Sequence, residues 1–322
     1  MIFNPLYSRD MKMRIFSALL FSVLAFFACN QSDESAADQS EEALLKSATI
    51  AVNDVAVQSV AQEANYETDY FSEYEHLLRR LAHYKGKRGN LLSGYDHNHY
   101  VEGDSPVITV DTASTGYPIT ITIEYGDSTE TTHGRIISGT VKVEINGDKN
   151  TDGSTRKISY INCVIDSIGI NGASTETFNG DNTTTRKVTV ESKATFTLQS
   201  DGTTVERLAS EVREWLAGID TKSDRSDDKI QTTGSITATT SGGDTYIRTI
   251  TDPLISLGDC RYPVQGIVQY SQNGSVIAEV NYGDGTCDNV ASLTTGGTTS
   301  DIELKGKLPK SDLTSGKKKG NK

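Results

Sequence analysis

The chain has a single tryptophan, Trp215, five histidines and four cysteines in 322 residues. With so few histidines, none is placed by motif beside a nucleophile, and neither a Gly-x-Ser-x-Gly elbow nor a phosphate-cradling glycine loop occurs. The sequence therefore points to no enzyme and no cofactor. Basic residues are also in the minority: 31 Lys and Arg against 43 Asp and Glu give a net charge of −12, which excludes the basic face that a nucleic-acid partner requires. After Phe27 there is no second long apolar run, so nothing further along the chain reads as a membrane helix.

What is present begins at the N-terminus. Lys12 and Arg14 precede the apolar run Ile15 to Phe27, and Ala28 precedes Cys29. A basic segment, a short apolar segment and a small residue before a cysteine form the layout of a bacterial lipoprotein signal, with Cys29 as the lipidated first residue of the mature protein. The run is thirteen residues long, too short to span a hydrocarbon core that needs roughly 20. Asn30-Gln31-Ser32-Asp33-Glu34 then resembles the export signal of surface-displayed Bacteroidetes lipoproteins. The expected location is the outer membrane, with the lipid anchor holding a domain that faces the cell exterior.

Composition divides the rest. Residues 29–60 are rich in Ser, Ala, Asp, Glu and Gln and read as a flexible tether. Over 61–86, Tyr66, Tyr70, Tyr74, Leu77, Leu81 and Tyr84 recur at helical spacing and predict a helix that docks through this aromatic stripe. From 104 to 305 the period changes to two, as in Ile119-Thr120-Ile121-Thr122-Ile123 and Val141-Lys142-Val143-Glu144-Ile145, with turn clusters such as Asn146-Gly147, Asn171-Gly172, Asp201-Gly202 and Asn273-Gly274 between such runs. About a dozen strands joined mostly by tight turns predict a mainly β protein: a large curved antiparallel meander or a two-layer β-sandwich, with a short N-terminal helix. Gly139, Gly234 and Gly266 each fall inside a strand pattern and predict bends at one level of the sheet. Residues 306–322 form a lysine-rich tail. Over 205–217, Leu208, Val212 and Trp215/Leu216 have helical spacing, and Gly218 follows as a stop signal.

Three cysteines remain after Cys29 is assigned to lipid. Cys260 and Cys287 flank Asn273-Gly274, and a two-residue turn places them directly opposite one another, where a disulfide fits. A three-residue turn over Gln272-Asn273-Gly274 aligns the apolar residues better, Tyr270 with Val276 and Val268 with Ala278, and a bulge at Gly283-Asp284-Gly285 then restores the cysteines. The second register is the preferred one, and both allow the bond. Cys163 reads as a buried core thiol.

The run Tyr282-Gly283-Asp284-Gly285-Thr286-Cys287-Asp288-Asn289, with Asp252-Pro253-Leu254, Cys260 and Gly266 before it, resembles the C-terminal pattern of a family of Bacteroidetes outer-membrane lipoproteins. Thr120 to Asp127 and Val212-Arg213-Glu214-Trp215-Leu216-Ala217-Gly218, with Asp227-Asp228 following, resemble its earlier strands. The resemblance covers about 104–304 and implies an anchored β domain with no known activity. It also favours a strand over 205–217.

Two motifs invite metal chemistry. Asp148, Asn150 and Asp152, with Gly153, match the first half of a calcium loop, but the twelfth position is Ser159 where a bidentate carboxylate belongs, so a solvated turn is the alternative. Asp96, His97 and His99 form a second, weaker cluster. The functional expectation is a lipid-anchored protein with a binding or structural role towards an extracellular glycan or protein. The alternative is a periplasm-facing envelope or lipid-carrier lipoprotein, which needs an elongated apolar groove inside the sheet.

Overall fold

The computed structural model describes residues 30–78, 80, 99–101, 105–112, 116–132, 134–148, 151–181, 183–221, 225–260 and 262–304. Cys29, Asn150, Asp96, His97 and the tail from 305 onward lie outside them, as do Leu81 and Tyr84 of the aromatic stripe.

A long helix, followed by a short helical segment at 75–78, precedes one sheet. Helix α1 spans Asn30–Glu73, and the strands follow as β1 (Val107–Thr112), β2 (Ile119–Glu130), β3 (Ile136–Ile145), β4 (Thr155–Ile165), β5 (Ile168–Asn179), β6 (Lys187–Leu198), β7 (Thr204–Ala217), β8 (Lys229–Thr240), β9 (Thr245–Leu257), β10 (Gln265–Gln272), β11 (Ser275–Asp284), β12 (Val290–Thr295) and β13 (Thr298–Glu303). The strands pair antiparallel in chain order, β1 to β13, in a single sheet. Of the two expected architectures, the meander is the one that forms, and β1 and β13 remain as its two edges.

The helix accounts for the curvature. Asp54 touches β9 and β10, while Glu67 touches β2. Asp69 reaches Arg156 on β4 and Arg213 on β7. A sheet in which strands as far apart as β2, β4, β7, β9 and β10 reach one helix has to curl around it. Between Ile50 and Phe71 only Val52 is exposed among the described residues, so this stretch is enclosed on nearly every side. The compact unit begins at Ala48, and the preceding helical residues form a separate unit in which Ser40 to Lys46 are exposed.

This corrects the tether assigned to 29–60. The stretch is polar and rich in small residues, with no clear apolar stripe, so its pattern does not mark a helix. Helices in proteins draw most of their stability from tertiary packing. Here Ala51, Val57, Val60, Phe71 and Leu78 pack into the same core as the inner face of the sheet. The aromatic stripe is not the main docking face either. Tyr66 and Tyr70 are half-buried at its margin and Tyr74 is exposed, while Ala64, Phe71 and Leu78 face inward.

Gly139, Gly234 and Gly266 each stand at a register shift, as their placement inside strands predicts. At Gly139 φ is +88°, and a Cβ would overlap the backbone carbonyl of Asn162, so only glycine permits this approach of β3 to β4. Asn171-Gly172, expected as a turn, instead lies within β5, where Gly172 pairs with Ala194.

The 205–217 segment is strand β7. Its helical spacing came from residues that point outward: Leu208 and Leu216 are exposed, whereas Val205, Arg207 and Trp215 face in. Charged residues on the inner face disguised the period of two.

In the β10–β11 hairpin the turn is Asn273-Gly274, with φ of 52° and 79°, because Gln272 pairs with Ser275 and Ser271 with Val276. The preferred three-residue turn is therefore not the one formed. A bulge between Tyr270 and Ser271 then sets Tyr270 opposite Ala278 and Val268 opposite Val280, which joins the two apolar faces by another route. A second shift follows before Asp284, near the bulge expected at Gly283. Cys260 and Cys287 sit at disulfide distance, their Cα atoms 5.7 Å apart, and Cys163 is buried as expected. Closing this loop of 27 residues contributes about 3–4 kcal/mol in the chain-entropy account.

Candidate ligand cavity

The inner face of the sheet carries arginines, and the helix carries acids to meet them. Asp54 is fully buried: its carboxylate accepts hydrogen bonds from Tyr246 (2.9 Å) and Tyr270 (3.2 Å), and lies 3.4 Å from Arg248 Nε and 3.8 Å from Arg207 Nε. Gln58 accepts a hydrogen bond from Arg207 at 2.7 Å. Arg135 pairs with Asp166 and lies 3.6 Å from Glu63.

Further along the helix, Glu67 accepts hydrogen bonds from Tyr100 (2.7 Å) and Tyr125 (2.8 Å), and its Oε1 lies 2.7 Å from His99 Nε2. Burial alone would raise the Glu67 carboxyl, but attraction from His99 and these hydrogen bonds outweigh it and hold the group below its ordinary value. Burial also pushes the Cys163 thiol up to about 12, with the nearby Glu67 charge adding to the effect, so this cysteine is an inert core residue.

Asp69 anchors the last cluster. Arg156 pairs with both Asp69 and Glu176, and Arg213 donates to Asp69 (3.2 Å) and to Glu176 (2.7 Å). Burial again opposes ionisation, yet Arg213, Arg156 and Arg225 hold the Asp69 carboxyl far below the usual carboxylate range. The result is a chain of buried ion pairs running the length of the enclosed helix.

Beside this last cluster the packing opens into a cavity of about 170 Å3. The helix supplies one wall through Ser59, Gln62, Asn65, Tyr66 and Asp69, and β7 supplies Arg213 and Trp215. The segment before β8 adds Arg225 and Asp228, and the chain around Cys260 and Tyr262 closes the far side. Gly258 makes that closure possible, since a Cβ there would overlap the backbone of Arg225. Trp215 is held by Phe178, Val188 and Val190 below, and Arg186 stacks over its ring with the guanidinium 3.9 Å from the centroid. Arg225 lies 5.1 Å from the centroid of Tyr66. Trp215 Nε1 and Arg213 Nε are buried without a hydrogen-bond partner among the described residues, as are the Nε atoms of Arg135, Arg207 and Arg248 elsewhere in the core.

The residues singled out for metal binding do not assemble a centre. Asp152 accepts a hydrogen bond from the Gly180 amide at 2.9 Å, which ties the β3–β4 loop to the end of β5, and Asp148 accepts a turn hydrogen bond from the Thr151 amide through its backbone carbonyl. Asn150 lies outside the described residues. His99 is buried against Glu67 and stacked on Tyr70, with ring centroids 4.0 Å apart. Among the described residues no group of three or more His, Cys, Asp or Glu is placed to hold a metal ion. Likewise, among them no helix is long and apolar enough to cross a membrane.

Sequence reasoning missed the cavity. Its only signal was the lone tryptophan inside Val212-Arg213-Glu214-Trp215, and the helical spacing of the outward residues concealed which way Arg213 and Trp215 point. No family model, no curated protein and no solved structure matches the chain.

Proposed function

We propose that this chain is a lipid-anchored binding protein displayed on the outer face of the outer membrane, with the Trp215 cavity as its ligand site. The single observation that carries the reading is the cavity itself, about 170 Å3 in volume, whose wall combines Tyr66, Trp215 and Tyr262 with Asp69, Arg213 and Arg225. Concave sites that join aromatic surface to a few placed polar groups are where small ligands ordinarily bind. Arg213, Trp215, Asp228 and Cys260 line this cavity and also belong to the motifs that resemble the Bacteroidetes lipoprotein family.

The carrier alternative draws less support. A lipid carrier needs an elongated apolar groove, and the inside of the curl is filled by the stretch of α1 from Ile50 to Phe71. The wall of the Trp215 cavity mixes apolar residues such as Trp215, Ile230 and Leu257 with guanidinium and carboxylate groups, which an acyl chain would have to desolvate.

Display is checked by treating intact cells with a protease that does not enter them and blotting for the β domain. Loss of the intact band before permeabilisation is expected. Protection until the outer membrane is opened would overturn the surface assignment and return the search to envelope components.

A further inference from the structure

We propose that the Trp215 cavity binds one uncharged sugar ring, with its hydroxyls against Gln62, Asn65, Thr232 and Ser256. This rests on the binding reading above and specifies its ligand.

The charges in the wall already have partners. Asp69 pairs with Arg156 and Arg213 and also attracts Arg225. Glu63 lies beside Arg135. Arg186 is stacked on Trp215, and both it and Asp228 have further interactions of their own. A charged ligand would therefore lose its water with no open countercharge to receive it, or would have to break an existing pair. Either cost favours a neutral occupant.

The uncharged polar groups are in the opposite state. Gln62 and Asn65 on α1, Thr232 on β8 and Ser256 on β9 all line the cavity, and their side chains have no hydrogen-bond partner among the described residues. All four residues are half-buried, and unlike Trp215 Nε1 and Arg213 Nε their polar atoms keep accessible surface. Amides and hydroxyls both donate and accept, as sugar hydroxyls do. A purely apolar ring would displace water from these groups and offer no hydrogen bond in return.

The rest of the lining suits the C–H side of such a ring. Ile230, Leu257 and Tyr262 supply it, with the part of Trp215 that Arg186 leaves open. Size sets the limit. An apolar core cavity of roughly 150 Å3 holds one benzene ring. The present volume of about 170 Å3 accordingly takes one six-membered ring, whose larger substituents point out through the open side.

The test is calorimetric titration of the purified full-length lipoprotein in a sugar-free detergent. The probes are glucose, galactose, mannose and N-acetylglucosamine, with glucuronate, glucosamine and phenol for comparison. At least one of the four uncharged sugars is expected to bind with a Kd below about 1 mM, about tenfold or more tighter than each of the last three. Gln62→Ala is expected to weaken that sugar about tenfold, the usual effect of one lost hydrogen bond. Thr232→Val keeps the branched shape, removes the hydroxyl and is expected to weaken it several-fold. Both variants are expected to melt with the wild type; where one does not, the other carries the test. Glucuronate, glucosamine or phenol binding as tightly as the best uncharged sugar overturns the assignment, as does an unchanged affinity in a folded variant. Binding of phenol or a charged sugar alone, weakened by Gln62→Ala, would overturn the uncharged sugar and leave the binding reading standing. No binding by any of the seven would count against both.

Discussion

Replacing Asp54 with alanine is expected to cost the fold about 3–5 kcal/mol, the usual consequence of removing one partner from a buried ion pair. Arg248 is fully buried behind Asp54, and after the substitution it keeps only Glu211, 3.2 Å away, as a carboxylate partner. Tyr246 and Tyr270 lose their acceptor in the same step, and each stranded hydroxyl adds its own desolvation cost. For a domain of this size the loss corresponds to a fall in melting temperature of roughly 6–20 °C. Asp54→Asn should fall between the two, since its amide oxygen still accepts from the tyrosines while the charge is gone. Thermal melts of the three proteins at one pH check the order wild type, Asn, Ala. An alanine variant that melts with the wild type would mean that the helix does not sit against β7, β9 and β10 as described.

Acid is the second large effect. Asp69 and Glu67 have carboxyl groups held below their ordinary values of about 3.8 and 4.5, Asp69 far below. A depressed folded-state value means that the unfolded chain binds the proton more readily. The stabilisation is therefore complete above the unfolded values, and it is lost progressively as pH falls below about 4.5 towards the folded ones. Stability measured by urea unfolding is expected to be nearly level between about pH 8 and pH 5 and to decline steeply below about pH 4.5. Asp69→Asn should flatten the acid limb while lowering the plateau, because Arg156 and Arg213 then keep only Glu176 between them. A wild-type acid limb that Asp69→Asn leaves unchanged would contradict the assignment.

The same buried charges explain what could and could not be read in advance. The meander was legible because its strands alternate and its turns carry residues suited to positive φ, as at Asn273-Gly274. The glycine bends and the Cys260–Cys287 pair followed from position along those strands. The helix was legible from 61 onward but not before it, because the face buried over 50–60 includes Asp54 and Gln58, residue types that ordinarily face water. Their partners lie far along the chain: Arg207 and Arg248 stand more than 150 residues after Asp54, a distance no local window spans. For the same reason the inner face of β7, with Arg207 and Arg213, looked like an outer one. Since the cavity is built where this helix meets this strand, it disappeared from view with them.

Both the core and the cavity depend on α1 being folded inside the sheet. Hydrogen–deuterium exchange of the native protein, followed by mass spectrometry of peptides covering 50–71, tests this most directly. If the sheet encloses the helix, those amides exchange only on the timescale of global unfolding, with protection matching that of the central strands β5 to β8. Exchange within seconds, as for a chain in solution, would mean that the stretch is a tether after all and that the Trp215 cavity has no helical wall.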